Sequence, residues 1–162
     1  YLMMIEKKTA LLLAYSLRIG AYIAGASEQE QDALFQYGRH IGIAFQIQDD
    51  VLDVYGDPSN FGKAIGGDIC CNKKTFLLLT ALDIADAESK ASLLQWLITS
   101  NKNAEKIQAV TALYTQLGVR EIGEAVMEDH TAQALAQLEL LPQNDYTNQL
   151  RVLAEKLATR KR

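Results

Sequence analysis

Cysteine and proline are almost missing from this sequence, with two of each in 162 residues. Cys70 and Cys71 are neighbours, and adjacent cysteines pair only through a strained ring. No Cys-x-x-Cys or Cys/His spacing suited to zinc occurs. The expectation is two reduced thiols with a packing or surface role, as in a cytoplasmic protein. Two prolines and ten glycines are too few for a many-turned β-sandwich. Positive charge is short as well. The formal net charge of -4 leaves no global basic field to attract nucleic acid. Long apolar runs are also lacking. The stretch Ala10 to Ala24 is broken by Arg18 and falls short of the ~20 residues that span a bilayer, so no transmembrane segment is expected. At the N-terminus the apolar residues precede Glu6-Lys7-Lys8, the reverse of a signal peptide. The chain opens in mid-pattern without a start methionine or a cap, as the C-terminal part of something longer would.

What is present is helical periodicity. Leu2, Ile5, Thr9, Leu12, Leu13, Leu17, Ala21 and Tyr22 follow helical spacing through residues 1–24. Ser27-Glu28-Gln29-Glu30 is a capping box, a serine followed three residues later by glutamate. It opens one long helix that reaches Leu52. Gly38 and Gly42, one turn apart, would let another helix approach closely. Gly56-Asp57-Pro58-Ser59-Asn60 reads as a loop, and Phe61 to Asn72 as an ordered loop. Further helices are expected at about 73–87, 88–99, 104–117, 119–141 and 146–160. Gly118 would end one of them, and Asn144 or Asp145 would cap the last. The class is all-α, a helical bundle with no strand-like alternation.

The chemistry concentrates in Phe45-Gln46-Ile47-Gln48-Asp49-Asp50-Val51-Leu52-Asp53. Asp49 and Asp53 stand four apart and Asp50 and Asp53 three apart, so three carboxylates crowd one helical turn. Two carboxylates about 4 Å apart repel by ~4 kcal/mol at an effective dielectric near 20. Beside Ile47, Val51 and Leu52, that repulsion calls for a cation. Oxygen ligands alone favour Mg2+, whose shell is completed by water and phosphate. Lys63, Lys73 and Lys74 follow in and after a glycine-rich stretch suited to an anion, with Asp68 among them as an outer metal partner. Lys8 lies in an apolar helix, where an ammonium group is costly unless it meets an anion. Carboxylates, glycines and lysines together describe a diphosphate held between Mg2+ and ammonium groups. The plainer reading of each part is a solvated acidic turn and ordinary surface lysines.

Met4 to Ala10, Phe45 to Asp53, Phe61 to Ile69 and Asn72 to Thr75 resemble, in order and spacing, the trans-isoprenyl diphosphate synthases. The resemblance implies an isoprenoid synthase fold of which residues 1–162 form the C-terminal part of one domain, the N-terminal helices being absent. It implies that Asp49, Asp50 and Asp53 are the second aspartate-rich motif, binding Mg2+ that bridges to an allylic diphosphate, with Asp68 in or behind the metal shell. Lys8, Lys63 and Lys73 would contact the diphosphate. Thr9 and Gln46 would place oxygens near the developing allylic cation, and Phe45 would face the prenyl tail. The partners implied are isopentenyl diphosphate, an allylic prenyl diphosphate and a second copy of the chain.

Such an enzyme ionises the allylic diphosphate by neutralising its leaving group, inside an apolar cavity that keeps water from the cation. No serine or cysteine nucleophile is needed. His40 and His130 have no ligand spacing and are expected to be structural or surface residues. One departure is serious. The family carries two aspartate-rich motifs and this sequence has one, since Asp83-Ile84-Ala85-Asp86 lacks the doublet. The chain alone is therefore expected to be inactive, and Arg160-Lys161-Arg162 is expected to be a frayed basic end, the alternative being a tail that closes over the isopentenyl diphosphate site. Rival readings are a non-catalytic regulatory subunit, a terpene cyclase-like protein, whose second motif would mix Asn, Ser or Thr with acid, and a helical interaction protein.

Overall fold

In a computed structural model, residues 1–57, 65–99 and 104–160 are described, and all regular structure among them is helical. The elements are α1 (Leu2–Ile5), a π-helical turn (Glu6–Ala10), α2 (Leu11–Ile23), α3 (Glu28–Tyr55), α4 (Gly67–Cys70), α5 (Phe76–Ile84), α6 (Ala87–Ile98), α7 (Ala104–Gln116), α8 (Val119–Leu138) and α9 (Asp145–Ala158). The chain forms two compact units. One comprises Tyr1 and Asp49–Glu124, the other Leu2–Gln48 and Ala125–Arg160. No helix among the described residues is long and apolar enough to cross a membrane.

The Leu2–Gln48 and Ala125–Arg160 unit begins with a helical run that loosens into the π turn at Glu6–Ala10. The capping box at the start of α3 forms: Ser27 N–H and Oγ donate to Glu30 at 2.8 and 2.7 Å, and Glu30 N–H donates to Ser27 Oγ at 3.3 Å. The glycine pair acts as its spacing predicts. A Cβ on Gly38 would stand 2.8 Å from Ala14 Cα, and one on Gly42 would stand 2.5 Å from Ala10 Cα. Ala33, Tyr37, Ile41, Ala134, Leu138, Leu141 and Ala154 form the core of this unit. Buried Tyr37 donates its hydroxyl to the Leu150 carbonyl at 2.7 Å, which ties α9 to α3. Asn144 caps α9 in a capping box with Thr147.

In the Asp49–Glu124 unit the core is Val51, Val54, Ile69, Leu77, Leu78, Ala81, Leu93, Val110, Tyr114 and Val119. The helix expected from Lys73 starts instead at Phe76, because Thr75 accepts the Leu78 N–H as an N-cap. It ends at Ile84, since Ala85 is extended and Asp86 caps α6 through the Ser89 N–H. Part of the expected loop is helical: α4 forms a single turn. Gly66 before it has φ 79, where an added Cβ would meet Ile107 at 2.7 Å. Gly118 has φ 67 between α7 and α8, as expected of a helix-ending glycine.

Candidate functional site

Asp49, Asp50 and Asp53 lie near the end of α3, and Asp50 is buried where the other two are half-buried. Asp50 is only 1% exposed. Its Oδ2 accepts the Tyr1 hydroxyl and, at 3.0 Å, the Phe76 N–H. Its Oδ1 has no hydrogen-bond partner among the described residues and faces the Lys73 ammonium at 3.7 Å. Lys73 Nζ is held on its other side by Asp68 Oδ2 at 2.7 Å. Asp68 in turn donates its N–H to Asp53 Oδ2 at 2.9 Å, and the Gly66 N–H donates to the Asp53 carbonyl at 2.6 Å. Asp49 and Asp53 are half-buried.

The structure thus brings Asp50, Asp53, Asp68 and Lys73 into one linked cluster. Burial raises the Asp50 and Asp53 carboxyls above the usual carboxylate range, and the donated N–H groups and Lys73 pull against it. Burial works to lower the Lys73 ammonium, but Asp68, then Asp50 and Asp53, raise it on balance. The repulsion read from the sequence is therefore partly offset within the chain, by Lys73 and by backbone donors. Among the described residues no group of three or more His, Cys, Asp and Glu side chains forms a cage for a metal ion. Mg2+ needs none, because it commonly takes one or two carboxylates and fills its shell with water and phosphate oxygens. The half-buried Asp49 and Asp53 carboxylates fit that donor set. Lys63 lies outside the described residues.

The other unit holds the remaining predicted positions. The π turn carries Thr9, whose hydroxyl donates to Gln46 Oε1 at 3.1 Å. π turns inside helices recur at functional sites. Lys8 corrects its expectation: it is exposed, so its ammonium carries no burial cost and implies no anion by itself. Phe45 is half-buried, and the Arg160 guanidinium lies 4.3 Å from its ring centroid. Arg160 is therefore no frayed end, while Lys161 and Arg162 lie outside the described residues. The group that fastens Arg160 leaves no local mark in the sequence. Gln48, 5% exposed, donates its amide to the carbonyls of Ala158 and Arg160 at 3.3 and 3.0 Å. Also unforeseen is the ion pair in which Arg39 donates through Nε and Nη2 to Glu6 at 2.6 and 3.2 Å. His40 and His130 are not surface residues acting separately. Their Nδ1 atoms are 2.9 Å apart.

The family model for polyprenyl synthetase matches residues 1–115. The chain belongs to that family. A polyprenyl synthetase relative, the short chain isoprenyl diphosphate synthase of Methanothermobacter thermautotrophicus, is 37% identical over 155 residues, covering 96% of this chain and 47% of that protein. Among solved structures, a decaprenyl diphosphate synthase from Rhodobacter capsulatus is 33% identical with a TM-score of 0.90, covering 100% of this chain and 50% of that one. A geranylgeranyl pyrophosphate synthase from Corynebacterium glutamicum, complexed with isoprenyl diphosphate and magnesium, is 35% identical with a TM-score of 0.86, covering 98% and 47%. The all-α isoprenoid synthase class expected from the sequence is the class of these structures. The chain spans about half the length of the curated relatives it matches.

Proposed function

We propose that this chain is the diphosphate-activating part of a trans-prenyltransferase that condenses isopentenyl diphosphate with an allylic diphosphate. The observation that carries this reading is the Lys73 ammonium fixed among Asp68, Asp50 and Asp53 beside half-buried Asp49. Asp49 and Asp53 would hold Mg2+. When bound, that ion neutralises the leaving diphosphate. Lys73 offers the same anion its ammonium group, while the diphosphate contacts of Lys8 and Lys63 rest on the family resemblance alone. Thr9 and Gln46, paired at 3.1 Å, present oxygen atoms suited to a developing carbocation, and Phe45 offers an apolar ring to the prenyl chain. A cytoplasmic location and a homodimer belong to the same proposal. The exposed apolar side chains of α2, among them Leu12 at 73% and Ile23 at 77%, favour a protein partner on that face.

Calorimetric titration of inorganic pyrophosphate into the chain tests the reading. Binding is expected with Mg2+ and not without it. Asp49→Ala is expected to weaken binding at least tenfold, or about 1.4 kcal/mol. Equal affinity with and without the metal would overturn the assignment. The sequence holds one aspartate-rich motif, so the chain alone is expected to bind without turnover. Steady condensation of isopentenyl and allylic diphosphates by it would refute that expectation.

A further inference from the structure

Resting on the diphosphate reading of the cluster, we infer that Asp50 is a positioning residue that aims Lys73 and is itself held by the Tyr1 hydroxyl, and that it is not a metal ligand. A carboxylate that binds Mg2+ together with a substrate phosphate needs an oxygen open to the hydrated side of the site. Asp50 offers none. It is 1% exposed, and its Oδ2 already accepts from Tyr1 and from the Phe76 N–H. Turning that oxygen toward an ion would strand both donors inside the protein. Its Oδ1, equally buried, faces Lys73 at 3.7 Å.

Lysine is a flexible four-carbon stem with a point charge at its end, so an ammonium that must meet a phosphate gains from being fixed beforehand. Lys73 is fixed from two sides, by Asp68 at 2.7 Å and by Asp50. Asp50 also receives the N–H of the first residue of α5, which ties Lys73 to a helix end three residues on. The Tyr1 ring packs edge-on against Phe76, with centroids 6.2 Å apart, so its hydroxyl is placed by ring packing. The three aspartates of the motif are thus not equivalent: half-buried Asp49 and Asp53 keep the metal-binding role proposed above, and Asp50 holds the cationic side of the site.

Two titrations of the 162-residue chain separate these roles: Mn2+ alone, read by electron paramagnetic resonance, and inorganic pyrophosphate with Mg2+. Asp49→Asn is expected to weaken Mn2+ at least tenfold. Asp50→Asn and Tyr1→Phe are expected to keep the Mn2+ affinity within twofold and to weaken pyrophosphate about fivefold to tenfold. On a Lys73→Met background, Asp50→Asn should add nothing to the pyrophosphate loss, an outcome that general destabilisation would not produce. Tyr1→Phe keeps the packed ring and removes only the hydroxyl, so it carries the test if Asp50→Asn does not fold. Loss of Mn2+ affinity in Asp50→Asn comparable with that in Asp49→Asn would make Asp50 a ligand and overturn the inference. An undiminished Asp50→Asn effect without Lys73 would overturn it too. If Asp49→Asn changes neither titration, the diphosphate reading itself has failed, and the inference falls with it.

Discussion

Gly42→Leu is expected to remove about 3 kcal/mol of stability, the upper end of what overpacking a fitted interior costs. The position lies on α3, where a Cβ would come within 2.5 Å of Ala10 Cα and 2.7 Å of Ala10 Cβ. The first obstacle is backbone, so no side-chain rotation relieves it. Alanine at Gly42 would gain up to ~1 kcal/mol of helix propensity and still meet the same atoms. Ala10 closes the π turn that carries Thr9, so displacing it should also lengthen the 3.1 Å bond from Thr9 to Gln46. Gly20 is the control. A Cβ there meets nothing within 4 Å, and Gly20→Ala should stabilise the chain by up to about 1 kcal/mol. Urea unfolding of both variants measures the contrast. Equal effects of the same sign would mean that the two glycines answer to propensity and not to the close approach.

That close approach was legible in the sequence, and so were most helices, because caps and glycine pairs are signals carried within a few residues. Ser27 with Glu30, Gly118, and Gly38 with Gly42 all do what their spacing predicts. The start of α5 lies later than the helix-favouring lysines suggest, because the Thr75 cap sets it. The π turn left no trace, since one extra residue in a single turn does not disturb a periodicity judged over many. Lys8 differs from its expectation for a related reason: an apolar neighbourhood in sequence does not decide which way one side chain faces.

The candidate site was legible as a set of residue types but not as an arrangement. Consecutive helical residues point about 100° apart, so Asp49 and Asp50 share a motif and not an environment. Spacing shows how close carboxylates stand along a helix. It does not show which of them is sealed by a tyrosine hydroxyl from position 1 and an amide from position 76. Gln48 was unreadable on the same grounds, because its partners at Ala158 and Arg160 lie more than a hundred residues away.

The paired histidines, His40 buried and His130 half-buried, make the second large prediction, a stability that falls steeply below pH 6.5. His40 on α3 and His130 on α8 meet Nδ1 to Nδ1 at 2.9 Å, which suits one shared proton and excludes two. Burial lowers both below the usual histidine value, and for His40 the charge of His130 adds to it. Arg39 also lowers both, while Asp129 and Glu6 raise them. A histidine whose pKa is depressed by folding binds its proton more readily in the unfolded chain. Its contribution is therefore complete above the unfolded value near 6.5 and is lost as pH falls from there through the folded value. Two imidazolium rings with centroids 5.2 Å apart would repel by about 3 kcal/mol at an effective dielectric near 20. The melting temperature is expected to drop between pH 7 and pH 5. In the double variant His40→Asn/His130→Asn, which keeps a polar atom near each Nδ1 but cannot titrate, that part of the drop should vanish. A double variant with the same pH profile as the parent would place the acid sensitivity elsewhere.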